Sequence, residues 1–228
     1  MDSTASAETN TSSLTTQAFR RIHAMIIQGE LKPGEKLKIE SLRKTLGVGA
    51  SPLREALSLL TSEQLIERLD QRGFRVSHIN SEAFDELLKT RCWLEEIALR
   101  ESMKAKDSEW EERVLLAHHR LKKPNRKLDD DSLNVAWEDC HKAFHMSLLS
   151  ASGSSILLNV CSQMYDQNIR YRNVSGYYVS AKRKVGDEHD TILRHALNGD
   201  ADKAVEALLS HYHQTGKLLS EFLRNQEH

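Results

Sequence analysis

The sequence contains few residues that break or cross-link a chain, with 3 prolines, 10 glycines and 3 cysteines among 228 residues. The cysteines form no CxxC pair and, being odd in number, cannot all be bridged, so we expect a reducing cytoplasm. No apolar run approaches the roughly 18 residues of a membrane span. The polar first dozen residues contain no signal core. The scarcity of proline and glycine excludes a β-sandwich or a collagen-like chain and predicts a mainly helical protein.

Charge is distributed unevenly along a chain whose formal net charge is only −1. Residues 14–80 contain eleven Lys/Arg and seven Asp/Glu, whereas the remainder of the chain is acidic. A basic segment attached to an acidic one is compatible with an anion-binding module joined to a second domain, although the excess is modest.

The N-terminal third predicts a winged helix-turn-helix over residues 14–80, after a disordered tail of residues 1–13. Apolar periodicity predicts three short helices, with inner faces formed by Leu14, Ala18, Ile22 and Met25, by Ile39, Leu42 and Leu46, and by Leu53, Ala56, Leu57 and Leu60. Gly47 ends the second helix, and Ser51 is expected to cap the third, with Pro52 in its first position. The turn Asp70–Gly73 predicts a β-hairpin, the wing.

Donor chemistry selects the candidate DNA contacts. Ser51 and Arg54 lie at the front of the helix expected in the major groove, where their donors can reach phosphates or guanine edges. Arg72 and Gly73 lie at the expected tip of the wing. Phosphate contacts are expected from Lys38, Arg43 and Lys44, although any single one of these could be an ordinary solvated charge.

Residues 81–228 predict an all-α antiparallel helical bundle. The expected helices cover residues 82–104, 108–121, 130–150, 154–174, 178–198 and 201–224. Three of them have histidine on the apolar face: His141 and His145 one turn apart, then His189, then His211. A single inward histidine is usually a hydrogen-bonded core residue, but several together could form a transition-metal site. We interpret His118, His119, His195 and His213 as having no role in such a site.

Arg91 and Glu95 lie on the apolar face of the first bundle helix. A guanidinium inside a bundle must be paired, so one interpretation is a structural ion pair between them. The other is that Glu95 orients Arg91 to bind the carboxylate of a ligand.

Several segments resemble known families. The runs GELKPGEKL (29–37), LGVGASPLREAL (46–57) and QRGFRV (71–76) resemble the GntR family of bacterial transcription regulators. The blocks HKAFHMSLLSASGS (141–154), EHDTIL (188–193) and AVEALLSHY (204–212) resemble the FCD effector domain of FadR-type GntR regulators. Where the GntR family commonly has Ser-Arg-Thr, this chain has Gly49-Ala50-Ser51, so an operator sequence cannot be transferred from relatives.

The resemblance implies a cytoplasmic homodimer that binds a palindromic operator in double-stranded DNA, acts as a repressor, and is controlled by a small organic acid. It also implies a divalent metal, zinc or nickel, at the floor of the effector cavity, held by His145, His189 and His211. The family more often has Asp where this chain has His141. Either His141 is a fourth ligand, or it contacts the effector and no metal is bound. The family pattern of Arg followed four residues later by Glu implies that Arg91 binds the acid.

Two other functions are disfavoured. A histidine-ligated hydrolase would need a general base beside the metal, but the segment between His141 and His145 has no carboxylate. A DNA-binding protein without an effector would leave the inward histidines and Arg91 unexplained.

Overall fold

The computed structural model describes residues 13–70, 72–129, 134–174 and 184–226. The chain divides between His78 and Ile79 into two compact units.

The first unit is a small three-helix domain with a three-stranded sheet. Its elements are α1 (Leu14–Ile27), β1 (Lys36–Leu37), α2 (Ile39–Leu46), α3 (Ala50–Ser62), β2 (Ile66–Leu69) and β3 (Gly73–Val76). Helices α1 and α3 pack together over the fully buried Ile22, Leu53 and Leu57. The strands are antiparallel in the order β1-β3-β2. The hairpin predicted from the turn is therefore present, but β1 was not predicted, because a two-residue strand has no periodicity to detect.

The start of α3 differs from the prediction that Ser51 is its cap. Gly49 is the N-cap, and Ser51 and Pro52 are the second and third residues of the helix. Proline is tolerated there because the N–H groups of the first turn have no partner within the helix. Gly47 ends α2 with a φ of +67°, a left-handed conformation in which glycine has no side chain to clash.

The second unit is a bundle of helices. They are α4 (Ser81–Lys104), α5 (Ser108–Leu121), α6 (Val135–Leu149), α7 (Ser155–Val174), α8 (Val185–Asn198) and α9 (Ala201–Gln226). Helix α4 packs on α7 and α9, α5 packs on α6, and α8 packs on α9. The fully buried Leu99, Trp110 and Phe144 are among the largest side chains of the bundle core.

The predicted starts of α6 and α8, at residues 130 and 178, lie outside the described residues. In the described part, α6 begins at Val135 because the side chain of Asn134 accepts a hydrogen bond from the N–H of Ala136 and caps the helix.

None of the described helices combines the length and apolarity required to cross a bilayer.

Candidate metal centre and DNA-binding surface

Helices α6, α8 and α9 bring four buried histidines together. His141 and His145 project from successive turns of α6, and their Nε2 atoms are 3.0 Å apart. His189 of α8 places its Nε2 3.1 Å from that of His141. His211 of α9 completes the cluster, in which one ligand nitrogen from each ring lies within 4.8 Å of all the others. All four candidate ligands named from the sequence therefore share one site.

Three of the rings are held from outside through Nδ1. The Tyr165 hydroxyl is 2.6 Å from Nδ1 of His141. The Tyr212 hydroxyl is 2.9 Å from Nδ1 of His145. Nδ1 of His211 is 2.7 Å from a carboxylate oxygen of Glu188. Metal-binding histidines usually engage an outer partner through the ring nitrogen that does not bind the metal, so this is the arrangement expected of a ligand set.

Burial favours the neutral form of His141 and His145. Desolvation lowers the pKa of His141 well below its ordinary value, and the neighbouring His145 and His189 lower it further. Desolvation likewise lowers the pKa of His145, with additional contributions from His211 and His189. Only the neutral ring can bind a metal, so the environment selects the form that ligates.

The nitrogen separations suit a transition metal. Two nitrogens each about 2.1 Å from an ion would be about 3.0 Å apart at a right angle and about 3.4 Å apart at a tetrahedral angle. The pairs at His141, 3.0 and 3.1 Å apart, match the right angle. Four imidazoles are donors that zinc and nickel accept readily. The residues present therefore fit a metal.

Arg91 and Glu95 lie beside this cluster. Nε of Arg91 donates to Glu95 at 2.6 Å, with both side chains buried. The guanidinium carbon lies 4.0 Å from the ring centroid of Tyr212 and 4.7 Å from that of Tyr165. Burial, the largest single effect, would lower the pKa of Arg91, but its interactions, foremost those with Glu95, together outweigh burial and raise the pKa. Within the described part of the chain, the buried Nη2 of Arg91 has no hydrogen-bond partner.

Several cavities lined by described residues border the histidines, among them one of about 250 Å³ beside His211. A narrow one of about 20 Å³ is lined by Arg91, Arg172, His141, His211 and Asn168, among others. That volume corresponds to about one water-sized group. A larger and more open one of about 390 Å³ borders His189 and is lined by Lys122, Arg126 and Lys184.

Of the histidines we interpreted as uninvolved, His118 has a different environment from the one expected. It is buried, lies 2.8 Å from Asp190 and contacts the ring of Phe144. The sequence did not reveal this partner because Asp190 lies on another helix. His119 and His213 are exposed.

The candidate DNA contacts all lie on the surface of the first unit. The exposed residues are Lys38, Arg43, Lys44, Ser51, Arg54, Arg72 and Gly73. Arg43 forms an exposed ion pair with Glu40 at 3.1 Å, and the Ser51 hydroxyl lies 3.4 Å from Glu55. Gly73 has a φ of +93° with nothing within 4 Å of the position a Cβ would occupy, so the tip of the wing is open to an approaching surface.

Sequence reasoning missed the outer partners Tyr165, Tyr212 and Glu188. Two of them are chain neighbours of candidate ligands, since Glu188 precedes His189 and Tyr212 follows His211. Each, however, contacts a histidine on another helix. A buried tyrosine needs a partner for its hydroxyl, and that requirement was the available signal.

Comparison with known proteins agrees with this architecture. The family model described as "Bacterial regulatory proteins, gntR family" matches residues 14–76, and the FCD domain model matches residues 86–214. The chain belongs to the GntR family. This FCD-containing GntR protein is thus a DNA-binding transcriptional regulator and not an enzyme.

Relatives that match most of this chain are also named as transcriptional regulators. The GntR protein is 34% identical over 215 residues to the uncharacterized HTH-type transcriptional regulator BphR of Paraburkholderia xenovorans, covering 93% of this chain and 88% of the relative. It is 28% identical to the HTH-type transcriptional repressor GlaR of Escherichia coli, covering 85% and 90%. The solved structure of E. coli McbR/YncC has the same fold, with a TM-score of 0.78, 20% identity and coverage of 92% and 98%.

Proposed function

We propose that this GntR regulator is a repressor whose operator affinity is controlled by a small organic acid bound next to a divalent metal, zinc or nickel, in the FCD domain. The proposal rests on the buried Nη2 of Arg91, which has no hydrogen-bond partner among the described residues and lies beside four converging imidazoles. A buried donor without a partner is rare in proteins and is expected where a ligand completes the site.

The metal would be held by His141, His145, His189 and His211. The lowered pKa values of His141 and His145, the outer partners of His141, His145 and His211, and the nitrogen separations support this assignment. Four neutral imidazoles add no charge to the site, whereas an Asp in place of His141 would add one negative charge. With histidine, the site would therefore keep the full positive charge of a bound ion. When bound, the metal supplies a Lewis-acidic point for a carboxylate oxygen.

Arg91 would hold the acid. Its Nε is already committed to Glu95, which orients the guanidinium, while Nη2 remains to donate to a carboxylate. The cavity of about 20 Å³ is too small for an organic acid. The acid must therefore bind an arrangement of α4, α7 and α9 with a wider cavity. A ligand that prefers one of two arrangements shifts the balance between them, and this is how it would change operator affinity.

We propose that residues 14–80 bind DNA and that residues 81–228 sense the acid and form a homodimer, with the protein acting in the cytoplasm. Trp93 and Ile97, one turn apart on α4, are 57% and 52% exposed, and such an apolar pair suits a self-complementary contact. Two winged helices in one dimer would read a palindromic operator. The repressor role is supported by GlaR, which is named a repressor and matches 85% of this chain.

The proposal is tested by thermal unfolding of tag-free, zinc-loaded protein against a panel of small mono- and dicarboxylates. An acid at a hundredfold excess over its Kd stabilises the folded state by about 2.7 kcal/mol. The same acid should release the protein from its operator in a fluorescence anisotropy assay.

Each component can fail separately. If neither zinc nor nickel copurifies or rebinds, the metal assignment is wrong. If an acid then still binds, His141 contacts the effector directly. If no acid shifts the midpoint of zinc-loaded protein, acid sensing is wrong. Arg126→Ala tests where the acid binds, because Arg126 lines the cavity of about 390 Å³ beside His189. If Arg126→Ala loses acid binding and Arg91→Lys keeps it, the acid binds in that cavity and not at Arg91.

A further inference from the structure

The hydroxyl of Tyr212 joins the candidate acid-binding arginine to a candidate metal ligand. It contacts Glu95 on one side and Nδ1 of His145 on the other, and all three side chains are buried. Glu95 in turn accepts from Arg91. Four side chains from α4, α6 and α9 thus form one continuous chain of hydrogen bonds.

The direction of each hydrogen bond in this chain follows from the donors available. Glu95 is paired with a guanidinium that is always charged, and an ionised carboxylate can only accept. The Tyr212 O–H therefore donates to Glu95. Its oxygen is then the acceptor for Nδ1–H of His145. Consequently His145 carries its proton on Nδ1 and presents the lone pair of Nε2 toward the other histidines.

We propose that Tyr212 and Glu95 are positioning residues that fix the tautomer and orientation of His145 for metal binding, and that they couple this ligand to Arg91. The proposal rests on the metal and acid sites of the proposed function. Tyr212 also packs against Arg91 through its ring, so a guanidinium that moves to meet an acid disturbs the tyrosine as well as its carboxylate partner. The acid site and the metal site would then influence each other's affinity reciprocally.

The experiment compares Tyr212→Phe with wild-type protein in two measurements. The first is zinc affinity in competition with a chelator, where loss of an outer partner is expected to weaken binding about 10- to 100-fold. The second is the ¹⁵N shift of the His145 ring nitrogens in metal-free protein. The wild type should show a protonated Nδ1, and the variant a mixture of tautomers.

Tyr171→Phe is the matched control, because Tyr171 is also buried in this bundle but contacts the ring of Phe84 instead of a histidine ring. It should leave zinc affinity and the His145 shifts unchanged. Circular dichroism establishes that each variant is folded. If Tyr212→Phe fails to fold, the ¹⁵N measurement on wild-type protein decides alone, because a proton on Nε2 instead of Nδ1 of His145 would overturn the inference.

The outcomes separate this inference from the proposed function. Wild-type zinc affinity and an unchanged Nδ1–H in Tyr212→Phe would overturn the inference while leaving the metal site intact. If the wild type binds no metal, the metal part of the proposed function fails, and the ¹⁵N measurement alone still decides whether Tyr212 sets the tautomer. Equal losses in Tyr171→Phe would assign the effect to general destabilisation and overturn the inference.

Discussion

Arg91 and Glu95 form a buried ion pair one helical turn apart on α4, with Nε of the arginine 2.6 Å from a carboxylate oxygen of the glutamate. The sequence left open whether this pair is structural or binds a ligand. The structure shows that the pairing uses Nε, while Nη2 has no partner among the described residues. Arg91 therefore keeps an N–H donor that the ion pair does not use, and this donor is compatible with a role in binding an acid.

Arg91→Lys should abolish the acid response while leaving operator affinity within about twofold of wild type. Lysine retains the charge that Glu95 needs but lacks the planar fork that binds a carboxylate through two donors. We would measure operator binding by fluorescence anisotropy with and without the acid. Arg91→Ala is less informative, because it leaves the buried Glu95 without its charge partner. Breaking a buried ion pair in this way costs about 3–5 kcal/mol of stability. An acid response of normal size in Arg91→Lys would contradict the assignment.

His145→Ala should reduce the zinc content of purified protein to a small fraction of the wild-type value. It removes one of the four proposed ligands and leaves a gap facing His141 and His189. Elemental analysis of tag-free protein provides the measurement. His213→Ala is the matched control, because this exposed histidine of α9 lies outside the cluster. Equal zinc content in all three proteins would exclude His145 as a ligand.

Arg54→Ala should weaken operator binding by about 1–3 kcal/mol if Arg54 reads a base edge. If it contacts only phosphate, binding should weaken similarly for all sequences and the salt dependence should fall by about one counterion. Titrations at several salt concentrations distinguish the two. Arg113→Ala is the control, because this exposed arginine lies on α5 of the other unit. If Arg54→Ala binds the operator with wild-type affinity, Arg54 does not contact the DNA.

Trp93→Glu should convert the proposed homodimer to a monomer, because it places a charge where an apolar contact between the subunits is proposed. Sedimentation velocity reports the change. Ile156→Glu provides the comparison, since Ile156 is 77% exposed on α7 and is not part of the proposed contact. A dimer that persists in Trp93→Glu would place the interface elsewhere.

Protonation of His118 should lower the free energy of unfolding as the pH falls. Burial and then Lys122 lower its pKa, and together they outweigh the opposite effect of Asp190. Below the ordinary pKa of about 6.5, the unfolded chain binds a proton at this residue more readily than the folded protein does. The free energy of unfolding therefore decreases between about pH 7 and pH 5, by at most about 1.4 kcal/mol per pH unit. Urea unfolding should show a shallower pH dependence in His118→Gln, and parallel curves would contradict this account.

Local patterns in the sequence determined the helices and the residues on their inner faces. Apolar periodicity placed His141 and His145 on the inner face of α6 because the spacing of a helical turn depends only on the backbone. Gly47 ends α2 because glycine adopts the left-handed conformation of a helix C-cap without a side-chain clash. The GntR and FCD resemblance was readable for the same reason, since its motifs are continuous segments.

Only the tertiary structure decided which inward groups meet. His141 and His189 are 48 residues apart, and Tyr212 and Glu95 are 117 apart, so their contacts depend on how α4, α6, α8 and α9 pack. The same holds for β1, which exists only because β3 offers it a pairing edge. Helix α3 starts at Ala50 instead of the predicted Pro52, because several residues near a helix start can cap its first turn. A periodic pattern establishes the direction of a side chain, whereas its partner is set by packing between distant segments.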